Sequence, residues 1–218
     1  MASEDQEQDK GKWIIYDYTS PSLPFSDWLE EWTPSKVNRD DGVSWICVQG
    51  SNVDLSQVPD VKLLEAWRNI ETSGEPINLQ VIYDLARTFQ DTSGKWLLHV
   101  DTGIKVDRIW KNIACGIVEG KLPANSAKVS SYAGVQHAVC IYNNNFTDEQ
   151  EVCHLERGIR NIGIKSQLSY KPEIFTHIGL YRHNNWNIRP TIYKSDYELT
   201  TKQSIIKTNE ESPRTLTY

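Results

Sequence analysis

The sequence predicts an α+β fold: a curved, largely antiparallel sheet with three main helices packed on one face. Three observations lead there. Between Gly94 and Leu122 a short run of bulky residues, Trp96 to Val100, is followed after Gly103 by apolar residues at 106, 109, 110, 113, 117 and 118, the intervals of one helix face. Two further helical stripes occur, one after Asp60 and one after Thr147. The strand-like runs between them are joined both by helices and by short turns, which favours helices covering one side of an antiparallel sheet over an alternating parallel one.

The elements follow in chain order. Trp13 to Tyr18 and Val43 to Gln49 have the bulk of strands, and Gly50 ends the second. Ser26 to Trp32 suits a short helix carrying Trp28 and Trp32. From Asp60, Leu63, Leu64, Trp67 and Ile70 have helical spacing between Pro59 and Gly74, and a further helix runs from Asn78 to Phe89 with Ile82, Leu85 and Phe89 on one face. In the helix after Gly103, Asp107 sits where a carboxylate opposes the positive end of the dipole, and Gly120 stands at its end. Ala127 to Ser131 and Gln136 to Tyr142 suit two strands turning at Gly134. Thr147 with Gln150 fits a capping box ahead of the stripe Val152, Leu155, Ile159 and Ile162, and Gly163 ends that helix. Gln167 to Tyr170, Glu173 to Tyr181 and Pro190 to Tyr193 read as strands.

The expected organisation is a charged, disordered tail over 1–12, a single domain over 13–200, and a second, mostly disordered tail over 201–218 whose only anchor is Ile205-Ile206. A net charge of −6 argues against wholesale capture of nucleic acid or of an anionic membrane, though a local patch can act alone. No apolar run reaches the roughly 18–20 residues that span a bilayer, so no membrane partner is expected. The start, MASEDQEQDKGK, is unlike a secretory signal or a basic transit peptide, and the expected location is the cytoplasm, with access to the nucleus left open. Cys47, Cys115, Cys140 and Cys153 form no CxxC pair and have no His at zinc-ligand spacing, so they read as free thiols.

Motifs for catalysis are scarce. The dinucleotide, P-loop, zinc-protease, nucleophile-elbow and calcium-loop patterns are all missing from the sequence. His99 and Asp101 would share a strand face, as a base and its orienter do, but strand alternation does that to any such pair. Asp40-Asp41 before Gly42 could ligate a divalent cation, or simply form a turn. No catalytic residue, metal or cofactor is assigned.

The more suggestive segment is Arg157 to Lys194. It sets seven cations (Arg157, Arg160, Lys165, Lys171, Arg182, Arg189 and Lys194) against one acid, Glu173, a local +6. Tyr170, Phe175, Tyr181, Trp186 and Tyr193 are interleaved with them. Cations that follow phosphates and rings that stack on bases are what a single-stranded RNA surface needs. Aromatics alternating along strands also fill cores, and scattered cations also make a solvated face. Trp186, inside the polar run His183 to Asn187, could stack on a ligand or fold back against the protein.

Gly94-Lys95-Trp96 followed by Asp107-Arg108-Ile109-Trp110 resembles the Gly-basic-Trp strand and the Asp-Arg-aromatic-Trp helix of translation initiation factor 4E. A closer resemblance, over roughly residues 13–197, is to the basophilic leukaemia-expressed protein (Bles) family, carried by SYKPEIFTHIGLYRHNNWNIRPTIY at 169–193 and by GKWLLHVDTG. That family has no established activity, so the resemblance implies the initiation-factor-4E-like fold and leaves function open. Cap recognition in the factor sandwiches a methylated guanine between two Trp rings and reads its edge with a Glu. Here the first corresponding loop, Gln49 to Val58, has no aromatic residue, and Asp84 to Ser93 has Phe89 but neither Trp nor Glu. Trp67 is similar to the dorsal Trp on which that family's partners dock, while Lys111 stands where the family has an apolar contact.

The resulting expectation is a non-catalytic binding module for single-stranded RNA or a nucleotide, using Lys171, Arg182, Trp186 and Arg189, without cap binding of the factor's kind. The alternative is a protein-interaction module using the helical face at Trp67 and Lys111. An enzyme built on His99 and Asp101 in the concave face stands third.

Overall fold

The computed structural model describes residues 11–50, 59–134, 136–209 and 215–216. The chain forms two compact units, each drawn from three segments. The first is Met1–Val53, Trp96–Tyr142 and His154–Ser166; the second is Asp54–Lys95, Asn143–Cys153 and Gln167–Tyr218. The expected tail over 1–10 and most of the first loop, 51–58, lie outside the described residues.

In the first unit the strands are β1 (Lys12–Asp17), β2 (Val43–Gln49), β3 (Gly94–Asp101, from Trp96 on), β4 (Ser126–Ser130) and β5 (Gln136–Asn143, to Tyr142), in the order β1-β2-β4-β5-β3. β2, β4 and β5 are antiparallel neighbours, but β1 lies parallel to β2, with Trp13 beside Trp45. Helix α1 (Phe25–Glu31) buries Trp28, whose ring lies 5.2 Å from that of Tyr16. Helix α4 (Ile104–Val118) packs on β2 and β4. Its stripe of Val106, Trp110, Ile113, Ala114 and Ile117 is buried, as are the paired strand residues Ile46 with Val129 and Val48 with Ala127.

In the second unit, helices α2 (Val61–Thr72) and α3 (Leu79–Thr88) pack together. Asp60 caps the first by accepting from Lys62 N, and Asn78 caps the second by accepting from Val81 N. Strands β6 (Leu168–Pro172), β7 (Tyr193–Glu198), β8 (Gln203–Thr208) and β9 (Thr215–Leu216) run antiparallel in that order.

Four sequence expectations are corrected. Glu173 to Tyr181 is no strand: Glu173–His177 forms helix α6. Ile174, Phe175 and Ile178 are all buried, which is helical rather than alternating spacing, and Gly179 closes the turn at φ 70°. The strand expected at Pro190 begins only at Tyr193. Residues 203–208, assigned to a disordered tail, form β8, with Ile206 and Thr208 buried beside β7. At helix α5 (Glu149–Asn161) the capping residue is Asp148, not Thr147. Asp148 Oδ1 accepts from Gln150 N at 2.9 Å, while the Thr147 hydroxyl donates to Asn145 Oδ1 at 2.8 Å.

Candidate functional site

The loop Tyr181–Pro190 of the second unit holds three of the four residues expected to contact RNA. One side chain shapes it. Asn184 Nδ2 donates to Tyr181 O at 2.7 Å and to Ile188 O at 2.6 Å, and Asn184 Oδ1 accepts from Trp186 N and Ile188 N, both at 3.1 Å. A short polar side chain that satisfies the backbone on both sides of a loop replaces the ladder that this segment lacks. Asn187 takes φ 55°, in the left-handed region that Asn tolerates better than most residues. Arg182 and Arg189 are exposed.

Trp186 is half-buried. Its ring meets Trp67 of α2 edge to face, with centroids 5.0 Å apart and planes at 77°. Of the two readings of this Trp, the folded-back one describes its resting place. Trp67 itself is only 4% exposed, so its ring offers little open surface on the helical face expected to meet a protein partner.

The fourth residue, Lys171, lies outside the loop, at the end of β6. It is 8% exposed, and its ammonium sits 4.0 Å from the centroid of the Tyr181 ring. A cation held on an aromatic face and withdrawn from water is in no position to meet a phosphate. Lys111 is exposed on α4, but it belongs to the first unit and Trp67 to the second. The run of cations divides in the same way, Arg157, Arg160 and Lys165 falling in the first unit and the rest in the second. Arg160 is buried, with Nε donating to Glu156 Oε1 at 2.6 Å and Nη1 to Ile164 O and Ser166 O.

His99 and Asp101 do share the exposed side of β3, and Asp101 Oδ1 accepts from Gln136 Nε2 at 2.7 Å. Asp41 receives Asn38 N at 3.0 Å and closes a turn ending at Gly42. Among the described residues there is no group of three or more metal-ligating side chains, and no helix is long and apolar enough to cross a membrane. None of the four cysteines is in a disulfide, and burial pushes the Cys115 thiol up.

Two polar arrangements were not foreseen. In the second unit Lys95 Nζ donates to Glu173 Oε1 at 2.7 Å, and His177 Nδ1 lies 2.6 Å from Asp91 Oδ2. In the first unit the buried Lys128 ammonium lies 4.5 Å from the ring centroid of Trp13 and 4.3 Å from that of Trp45. Strand register places Lys128 beside the two indoles, and α6 brings Glu173 and His177 to their partners, neither of which can be read from a single segment. The role of Asn184 had a faint signal in the Asn-rich run 184–187, a composition that favours side-chain-to-backbone turns.

Comparison with known proteins gives the chain a place. Among solved structures it is similar to C. elegans eIF4E-3 in a complex with the 4E-binding protein Mextli and cap analog, at 17% identity over 39% of this chain and 53% of that one, with a TM-score of 0.35. It is also similar to Schistosome eIF4E complexed with m7GpppG and 4E-BP, at 12% identity over 44% and 55%, with a TM-score of 0.36. The match thus spans about half the length of those proteins. The family model for the basophilic leukemia-expressed protein Bles03 matches residues 64–179, more than half of the sequence and including most of α2, all of α4, the Lys95–Glu173 pair and α6. The chain belongs to the Bles03 family.

Proposed function

We propose that this chain is a non-catalytic binding module whose working surface is the Tyr181–Pro190 loop, and that its ligand is single-stranded RNA or a nucleotide. The observation that carries the reading is the composition of that loop. Two exposed guanidiniums, Arg182 and Arg189, flank a half-buried indole whose other contact is a buried Trp. Guanidiniums bind phosphate in a forked geometry, and an indole already ordered by Trp67 loses little freedom when a base stacks on it. Lys171 leaves the ligand set because Tyr181 holds it. A protein partner seated on Trp67 would first have to displace Trp186, so the loop is preferred to the helical face of Trp67 and Lys111.

The test is a Trp-fluorescence titration of the purified protein with short single-stranded RNA, cap analogue and GTP at low and moderate salt. The reading expects saturable quenching by RNA that weakens as salt rises and is lost in the double variant Arg182→Ala with Arg189→Ala. Flat curves for every ligand would remove it.

A further inference from the structure

Asn184 does more than order the loop. Its single amide nitrogen binds Tyr181 O at 2.7 Å and Ile188 O at 2.6 Å, so those two oxygens can be no further apart than the two bonds laid end to end. The residue after each of these carbonyls is an arginine, Arg182 after Tyr181 and Arg189 after Ile188. The two arginines therefore each follow a carbonyl drawn in at the neck of the loop, although seven positions separate them in the sequence. Both are exposed. Two exposed guanidiniums carried on the neck of one loop can reach a common anion, and the anion that suits two forks best is a dianion with several acceptor oxygens.

We infer that Arg182 and Arg189 form a clamp for one terminal phosphomonoester, the 5′-phosphate of a single-stranded RNA, with Asn184 as the positioning residue that sets their spacing. This rests on the RNA-binding reading of the loop and narrows it. A terminal phosphate carries about −1.5 to −2 near neutral pH, whereas a phosphodiester inside the chain carries one charge. The indole four positions after Arg182 makes the occupant a nucleic acid end rather than a bare phosphate, because it offers a face for the adjoining base.

The experiment uses the full chain and two RNA decamers of one sequence, one ending in a 5′-phosphate and one in a 5′-hydroxyl, followed by fluorescence anisotropy of a 3′ label. The phosphorylated end should bind at least about tenfold tighter near neutral pH, as a charge-assisted contact pair requires. That preference should shrink as the pH falls below about 6, where the phosphate takes up its second proton. It should disappear in Arg182→Ala, in Arg189→Ala and in Asn184→Ala, the last checked for an unchanged far-ultraviolet spectrum. Should Asn184→Ala fail to fold, the comparison of the two RNAs on the unaltered chain still decides the matter. Equal affinity for both ends would overturn the clamp while leaving RNA binding in place. Absence of binding to either would overturn both. A phosphoserine peptide that binds as tightly as the phosphorylated RNA would overturn the assignment to a nucleic acid end.

Discussion

The ammonium of Lys95 and the carboxylate of Glu173 meet at 2.7 Å with side chains only 7% and 3% exposed. This ion pair joins the first strand residues after Gly94 to the start of α6, where Glu173 N also donates to Ser93 O at 2.9 Å. Removing one partner strands the other as a buried charge, so Glu173→Gln should lower stability by about 3 kcal/mol. The double change Lys95→Met with Glu173→Leu removes both charges and should recover most of that loss. Urea unfolding of the parent and the two variants would measure it, and a single variant as stable as the parent would show that the pair is not held in solution.

Tyr170 makes a second prediction. Its hydroxyl donates to Asn143 Oδ1 beside Gly94, and a methyl group on that glycine would fall within 2.6 Å of Tyr170 Cζ and closer still to the oxygen. With the ring fixed by Asn143 and buried, Gly94→Ala should cost about 2 kcal/mol or more through overpacking. Chemical denaturation would read the loss, and a neutral Gly94→Ala would show that the ring yields.

Burial also pushes the Tyr170 phenol well above its ordinary value, only partly opposed by its bond to Asn143. A raised acid of this kind favours the folded state in full below the unfolded Tyr pKa of about 10. The contribution declines as the pH rises from there through the higher folded value, because the unfolded chain loses its proton first. The slope from this one group is at most about 1.4 kcal/mol per pH unit. Unfolding measured from pH 9 to 11 should show this decline in the parent and a shallower one in Tyr170→Phe; parallel curves would contradict it.

Lys128 offers a spectroscopic test. Its ammonium lies over Trp13 and Trp45 at 4.5 and 4.3 Å, with the two indole centroids 6.3 Å apart. Lys128→Ala loses both the packed stem and the cation over the rings, together about 2 kcal/mol. The variant should melt earlier and shift the Trp emission, whereas Lys128→Arg, which keeps the charge on the rings, should do so less. An Ala variant with unchanged emission would place the ammonium elsewhere.

The Trp67–Trp186 contact separates support from recognition. Trp67→Ala opens a hole under α2 and should cost about 3–5 kcal/mol. Trp186→Ala, at a half-buried loop position, should cost about 1 kcal/mol, the scale of the aromatic contact itself, yet abolish RNA-dependent quenching. Thermal melts beside the titration distinguish the two effects.

How much of this was legible varies with the kind of signal. The stripe of α4 could be read directly, because Val106, Trp110, Ile113 and Ile117 recur at helical intervals and all are buried. Segment 173–181 could not, since a five-residue helix offers one turn of period, and the aromatics around it suggested alternation. In β8 the period of two was present in Ser204, Ile206 and Thr208, but polar residues on both sides made it look like a tail. At the candidate site, residue types singled out a loop and could not assign the fates of its side chains. Lys171 and Arg182 are both cations near aromatic residues in sequence. Only the fold puts the ammonium of Lys171 on Tyr181 and leaves Arg182 exposed. The bonds of Asn184 to Tyr181 and Ile188 had only the faint signal of an Asn-rich run.

Because each unit is assembled from three separated segments, the chain passes between them after Val53, Lys95, Tyr142, Cys153 and Ser166. During synthesis the first unit lacks its last segment until Ser166 has left the ribosome, and the second lacks the segment that begins at Gln167 until later still. Stretch 64–179, the part shared with the family, spans four of those passages and contains neither unit whole. A fragment cut to that stretch should therefore stay unfolded and be cleared by proteases, while the intact chain resists them. The stretch that the family model matches is thus not a self-contained body, and dissecting this protein calls for point substitutions rather than excised pieces.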